Sequence, residues 1–363
     1  MASFLSIKSL LVTTVALFSS AFAQSQTGLI DEKLVNLKSK QILFGGLDAL
    51  DDIPSGGGLR GRPAVPFTKH EVPWGTIPSQ CLMWGPITGN SSIGLPGERC
   101  KDIYTMEVYQ VEYDDCPGHT FTFCRCADSP MSIDELGDEL SKIPFKARQW
   151  VTTVSAEAHE SQQPNSCTAA AFGTHIWING NCKGFQRLWF HEFGHVLDRA
   201  VLQRTEKGSY WWSDEARWRN TVLGGADCLP SNYSTNTWPD NFAEFVAVAA
   251  YHHLVKDVYK TFRANLLECL EFPLDLTIEL TRELFAPKGK QVCDEAAHSN
   301  LKDLTYVCMG PGARAQGACE DVPDWEGHSA DDTEEDEYIP QTALETFQSD
   351  MSHVEEGSED VCS

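Results

Sequence analysis

The stretch Phe185-Gln186-Arg187-Leu188-Trp189-Phe190-His191-Glu192-Phe193-Gly194-His195-Val196-Leu197-Asp198-Arg199-Ala200-Val201-Leu202 decides the reading of this chain. Its apolar residues fall at 185, 188, 189, 193, 196, 197, 200 and 201, the three-and-four spacing of a helix with one side packed on a core. On such a helix His191 and His195 lie four apart and share a face. Two imidazoles on one face can hold one zinc ion at roughly 2.0–2.1 Å. Glu192 sits about 100° further round the axis, beside a metal and not on it. A carboxylate there can take a proton from water as general base, which is the reason a metal-dependent hydrolase needs this spacing. The competing reading is a pair of structural histidines on a helix face.

Zinc needs a third protein ligand. Asp198, one turn past His195, cannot easily converge with both histidines from a straight helix; the choices are orienting a histidine or a surface ion pair. No glycine follows His195 to turn the chain toward a third histidine, because Val196-Leu197-Asp198 continues the helix. Glu244 is the stronger candidate. It lies in Asn241-Phe242-Ala243-Glu244-Phe245-Val246-Ala247-Val248-Ala249-Ala250, part of an apolar helix over about 241–255, where an unpartnered carboxylate would cost several kcal/mol. Its alternative is a capping box with Asn241.

His191-Glu192-Phe193-Gly194-His195-Val196-Leu197-Asp198, with Asn241-x-x-Glu244-Phe245 downstream, resembles the gluzincin metallopeptidases, and within them the catalytic domain of the lethal-factor type. That resemblance implies His191, His195 and Glu244 as zinc ligands, Glu192 as base and a zincin-like fold. It spans about 65 residues in two blocks. Such sites carry a tyrosine seven residues before the ligand glutamate, which is Thr237 here, and an acidic residue one turn after it, which is Val248 here. Tyr233, reached through a different loop, is the substitute oxyanion donor.

Before this helix, Ala171–Ile178 reads as a strand closed by Asn179-Gly180-Asn181, able to take an extended peptide along its edge. Ser132 with Glu135 forms a capping-box pattern opening a short helix. Pro144 ends it, and a second helical pattern runs on through Trp150 and Val154. Around 102–123 the alternation is that of a strand. Another helix is predicted over 259–270. His252-His253 and His175 are more often core or surface than metal ligands, and Trp211-Trp212 and Trp218 are either pocket walls or core.

The ends of the chain carry different signals. An apolar run from Leu10 to Phe18, followed by Ala21-Phe22-Ala23, reads as a signal peptide over 1–23, too short to span a bilayer. Thirteen cysteines, none before Cys81, imply five or six disulfides plus at least one leftover thiol in an oxidising compartment. Asn90-Ser91-Ser92 and Asn232-Tyr233-Ser234 are glycosylation sequons. The net charge is −24, and from Glu320 to Ser363 there are 16 acidic residues and no Lys or Arg. That tail, 320–363, reads as disordered, and the acidity leaves no electrostatic footprint for nucleic acid.

The expected organisation is therefore α+β: a signal at 1–23, a Cys-rich loop-and-strand region at 24–130, a zincin-like metallopeptidase domain at 131–319 and the acidic tail. The domain would hold a small mixed sheet backed by an active-site helix and a second ligand helix. Signal, cysteines and tail together resemble the layout of fungal secreted proteins of the conidiation-specific type and related peptidases, which implies a fungal source and an extracellular or cell-wall location. The expected function is hydrolysis of peptide bonds in a peptide or protein substrate by zinc-activated water, without nucleic acid or membrane anchor. The alternative is a catalytically silent, metal-holding surface or effector protein.

Overall fold

Alternating apolar residues put one face of a six-stranded sheet against helices. In the computed structural model the described residues are 37–43, 47–51, 58–72, 76–78, 81, 100, 106–158, 166–261, 268–286, 293 and 306–308. The signal segment, the Asn90 sequon and the acidic tail lie outside them. The strands are β1 (Phe67–Glu71), β2 (Glu107–Tyr113), β3 (Thr120–Arg125), β4 (Thr153–Glu157), β5 (Cys167–Phe172) and β6 (His175–Gly180), in the order β1-β2-β3-β4-β6-β5. The neighbours β3–β4 and β4–β6 are parallel, and the other three pairings are antiparallel. Val111, Phe121, Phe123, Val154, Ala156, Ile176 and Ile178 pair across the register and point into one core. The architecture is α+β, and strands from both sides of residue 130 share this sheet.

The parallel step from β3 to β4 requires a crossover, supplied by α1 (Ile133–Ser141). Its start follows the expected capping box: Ser132 Oγ accepts from Glu135 N, and Glu135 accepts from Ser132 N. The helix expected to reach Val154 is corrected to one short turn at Phe145–Arg148, because the β-branched run Val151-Thr152-Thr153-Val154 enters β4. The single strand expected over 171–178 is a hairpin: Gly173, at φ +57°, turns β5 into β6. Among the described residues Cys167–Phe172 is one edge of the sheet and Phe67–Glu71 the other.

The site helix α2 (Gln186–Val196) has no side-chain cap of its own at Phe185. Asp51, buried and distant in sequence, accepts the Arg187 amide at 2.8 Å and fills that role. The helix then widens into a π turn over Leu197–Val201, a feature frequent at functional sites. After α3 (Ala216–Gly225), α4 (Trp238–Leu254) packs on α2, and α5 (Glu271–Phe285) covers α4. Of the helix predicted over 259–270, the described residues form a turn at Val258–Thr261 and another at Glu268–Leu270, and 262–267 lie outside the described residues. Close approach of α2 and α4 depends on Gly194: a Cβ there would lie 2.7 Å from Ala243 Cα.

Among the described residues five disulfides join Cys81–Cys124, Cys100–Cys126, Cys116–Cys293, Cys167–Cys182 and Cys228–Cys269. Two of them staple residues 81 and 100 to either end of the same segment, β3 and its exit. Among the described residues no helix is long and apolar enough to cross a membrane.

The sheet face turned away from the core carries Thr122, Thr153, Ser155 and His175, all buried. His175 Nε2 lies 2.8 Å from Ser155 Oγ, and burial pushes this imidazole down to about 3. Its unfolded value is near 6.5, so between those limits only the unfolded chain takes the proton. The stabilisation is complete above about pH 6.5 and is lost as pH falls toward 3. Urea titrations between about pH 7 and about pH 4 should show a loss of a few kcal/mol in wild type, and a shallower slope in His175→Gln. Equal slopes would place the acid sensitivity elsewhere.

Candidate metal centre

α2 and α4 face each other across Gly194, and their facing polar side chains meet in one buried cluster. His191 Nε2 and His195 Nε2 are 3.2 Å apart, and Asp240 Oδ1 is 3.5 Å from His195 Nε2. One donor atom from each of His191, His195 and Asp240 falls within 4.8 Å of the others. Among the described residues this is the only such group of three. Asp240 is itself fixed at the start of α4: Thr237 Oγ1 donates to Asp240 Oδ2 at 2.7 Å and accepts from Asp240 N at 3.1 Å. Thr237 is thus the cap, and Asn241 is not; its amide instead donates to Ser234 O and its carbonyl accepts from Trp218 Nε1.

Glu244 comes to the cluster from behind. Its Oε1 lies 2.8 Å from His191 Nδ1, the ring nitrogen that faces away from His195, and its Oε2 accepts from Ser231 Oγ. A carboxylate only accepts, so Nδ1 carries the proton and Nε2 is the donor atom left for a metal. Asp240, one helical turn before the expected ligand Glu244, stands with the histidines, and Glu244 bonds His191 from the other side. Counted from Asp240, both departures from the lethal-factor pattern disappear. Tyr233 stands seven residues before it, and Glu244 stands one turn after it. Tyr233 packs edge-on against the His191 ring at 5.3 Å, and Trp211 against His195 at 5.8 Å.

Glu192 is 2% exposed, and its Oε2 is buried with no hydrogen-bond partner. Burial raises its carboxyl above the usual range; His191 and His195 pull it back, and Asp240 and Glu244 push it further up. Burial works against a charged His191, but the hydrogen bond it donates to Glu244 and the charges of Glu244, Glu192 and Asp240 outweigh it and lift that imidazole. Three carboxylates around two imidazoles leave the pocket with excess negative charge.

Whichever nitrogens carry protons, His195 Nδ1 stays buried without a partner, and a metal held at Nε2 would not relieve it. If His191 is neutral, its bare Nε2 accepts from His195 Nε2–H, and His195 Nδ1 is a buried acceptor without a donor. If His191 is charged, it donates to His195 Nε2, and His195 Nδ1–H is a buried donor without an acceptor. A buried group left unpaired costs about 1–3 kcal/mol. Two imidazole nitrogens and a carboxylate oxygen are the donor chemistry of a small divalent ion such as zinc, so the residues present fit one.

The other expectations divide. Asp198 is buried and accepts from Ser213 N at 2.7 Å and Ser213 Oγ at 2.6 Å. It neither orients a histidine nor forms a surface ion pair; it anchors the loop that brings Trp211 to His195. Burial holds its carboxyl well above the ordinary range, against the two bonds from Ser213. Trp212 and Trp218 are core. His253 bonds Ile278 O, and His175 lies on the far side of the sheet. Sequence reasoning missed Asp240, although its spacing to Tyr233 and Glu244 was the available signal.

The profile of the conidiation-specific protein Con-13 family matches residues 42–345. Conidiation-specific protein 13 of Neurospora crassa is 31% identical over 277 residues, covering 76% of this chain and 73% of the relative. No solved structure matches.

Proposed function

Taking as premise that the chain belongs to the Con-13 family of conidiation-specific proteins, we propose that it is an exported, conidiation-associated protein with a metal-dependent peptide hydrolase site. One observation supports this above others: Glu192, buried and unpartnered at Oε2, stands beside three converging donors, His191, His195 and Asp240.

His191, His195 and Asp240 would hold the ion. A bound zinc supplies Lewis acidity and brings the pKa of water to about 7. Glu192 would take the proton of the attacking water and return it to the leaving amine, the role its raised carboxyl suits. Glu244, backed by Ser231, fixes which His191 nitrogen faces the donors. Tyr233, whose ring packs edge-on against His191, would donate its hydroxyl to the oxygen that gains charge. The sheet edge at Cys167–Phe172 offers backbone bonds to an extended peptide.

Family membership favours a second reading, a metal-holding conidiation protein without turnover, because the relative is named for conidiation and not for an activity. Metal content and hydrolysis of a mixed peptide library, measured on wild type and Glu192→Ala, separate the two. A single equivalent of zinc in both proteins, with cleavage by wild type only, is the expected result. Zinc in both without cleavage establishes the second reading, and zinc in neither overturns the site.

A further inference from the structure

Arg199 lies one turn beyond His195, in the π turn that ends the site helix. Its guanidinium carbon sits 3.7 Å over the Tyr210 ring, its Nε is buried with no hydrogen-bond partner, and it pairs with no acidic group among the described residues. Tyr210 in turn packs edge-on against Trp211 at 5.6 Å, and Trp211 against His195 at 5.8 Å. A continuous run of contacts therefore leads from the donor cluster to a half-buried, unpaired cation.

The segment that carries the aromatics is tied down independently of Arg199. Glu215 accepts from the amides of Thr205 and Glu206 and from Thr205 Oγ1, Glu206 accepts from Ala216 N, and Asp198 holds Ser213. Arg204 donates to Tyr210 O at 2.6 Å. With the loop fixed by those bonds, Arg199, four residues past His195 on the site helix, forms no ion pair among the described residues and keeps Nε without a hydrogen-bond partner. A guanidinium stacked on an aromatic ring with donors unused suits planar, two-point binding of a carboxylate.

From this geometry we propose that Arg199 is a specificity-determining residue that binds a carboxylate of the peptide held at the donor cluster, so that the preferred ligands are acidic peptides. The carboxylate belongs either to an Asp or Glu side chain or to a free C-terminus. The inference rests on the reading of the cluster as a peptide site, but not on turnover.

The test uses full-length Glu192→Gln, which cannot consume the ligand through that base, and four short alanine-rich peptides. These carry Glu or Gln at one position and end in a carboxylate or an amide. Dissociation constants are read by calorimetry, with Trp fluorescence as a second signal. The acidic peptides should bind about tenfold to a hundredfold more tightly than their neutral counterparts, the range of a charge-assisted contact. A preference that follows Glu over Gln assigns the side chain, and one that follows the free end assigns the C-terminus. Adding Arg199→Met should erase the preference at an unchanged unfolding temperature, and Arg199→Lys should retain part of it. Equal affinity for charged and neutral peptides in the protein with Arg199 intact overturns the proposal, whatever the variants do. Because binding is measured without the base, a wild type that cleaves nothing leaves this result standing.

Discussion

With a metal held as proposed, Asp240→Ala should lose it almost entirely, whereas Glu244→Ala should keep it with an affinity lowered about tenfold to a hundredfold. Both carboxylates are buried on α4, four residues apart and on one face, so burial alone does not rank them. Their contacts do. Asp240 Oδ1 faces His195 Nε2, the nitrogen on the inner side of the cluster, while Glu244 Oε1 faces His191 Nδ1, on its outer side. Removing Asp240 takes away one of three protein donors. If about 10–16 kcal/mol of binding is shared among the ligands of a zinc site, one of them accounts for roughly 3 kcal/mol, more than a hundredfold in affinity. Removing Glu244 leaves all three donors but frees the His191 ring and strands the Ser231 hydroxyl, a cost that falls on orientation and on stability. Chelator competition on the two variants and on Asp240→Asn reads the order directly. A reversed order would return Glu244 to the place of third ligand.

The one-turn offset between Asp240 and Glu244 shows what a sequence of this kind carries and what it withholds. The site helix was legible because its apolar residues keep the helical period, which gives His191, Glu192 and His195 their faces from sequence alone. The capping box at Ser132 and Glu135 was legible for the same reason: both of its partners lie within one turn. α4 is different. From Phe242 to Ala250 it is apolar on every side except at Glu244, so periodicity cannot say which carboxylate faces α2. The choice between Asp240 and Glu244 is made by the height at which two helices cross, and that height is set by contacts between residues about fifty apart in the chain. Asp198 shows the same limit, since its partner Ser213 is reached only by closing the intervening loop. The hairpin at Gly173 was a local signal instead: a glycine in an apolar strand run marks a bend, and reading 171–178 as one strand passed over it.

Gly194→Val should do more damage than any substitution of the donors, because it acts on the crossing itself. A Cβ at residue 194 would stand 2.7 Å from Ala243 Cα, 3.0 Å from Ala243 Cβ and 3.2 Å from Val246 Cβ. Two of those atoms are side chain and one is backbone, so no rotamer change relieves the closest contact and the helices must separate. Overpacking of this kind costs typically 1–3 kcal/mol, and two further methyl groups place valine at or above the upper end. A domain near 250 residues loses about 2–4 °C in Tm per kcal/mol, so the expected fall is on the order of 5–10 °C. The functional loss is larger than the stability loss. α2 carries His191 and His195 while α4 carries Asp240, so a separation of about 1 Å spoils the convergence of all three at once, and metal affinity falls even in molecules that remain folded. Gly194→Ala gives the smaller version of both effects. Adding Ala243→Gly to it removes the 3.0 Å contact but not the 2.7 Å one, so rescue is partial in melting temperature and in metal retention alike. A Gly194→Ala protein that melts like wild type and binds metal equally well would mean that the two helices do not cross at this residue.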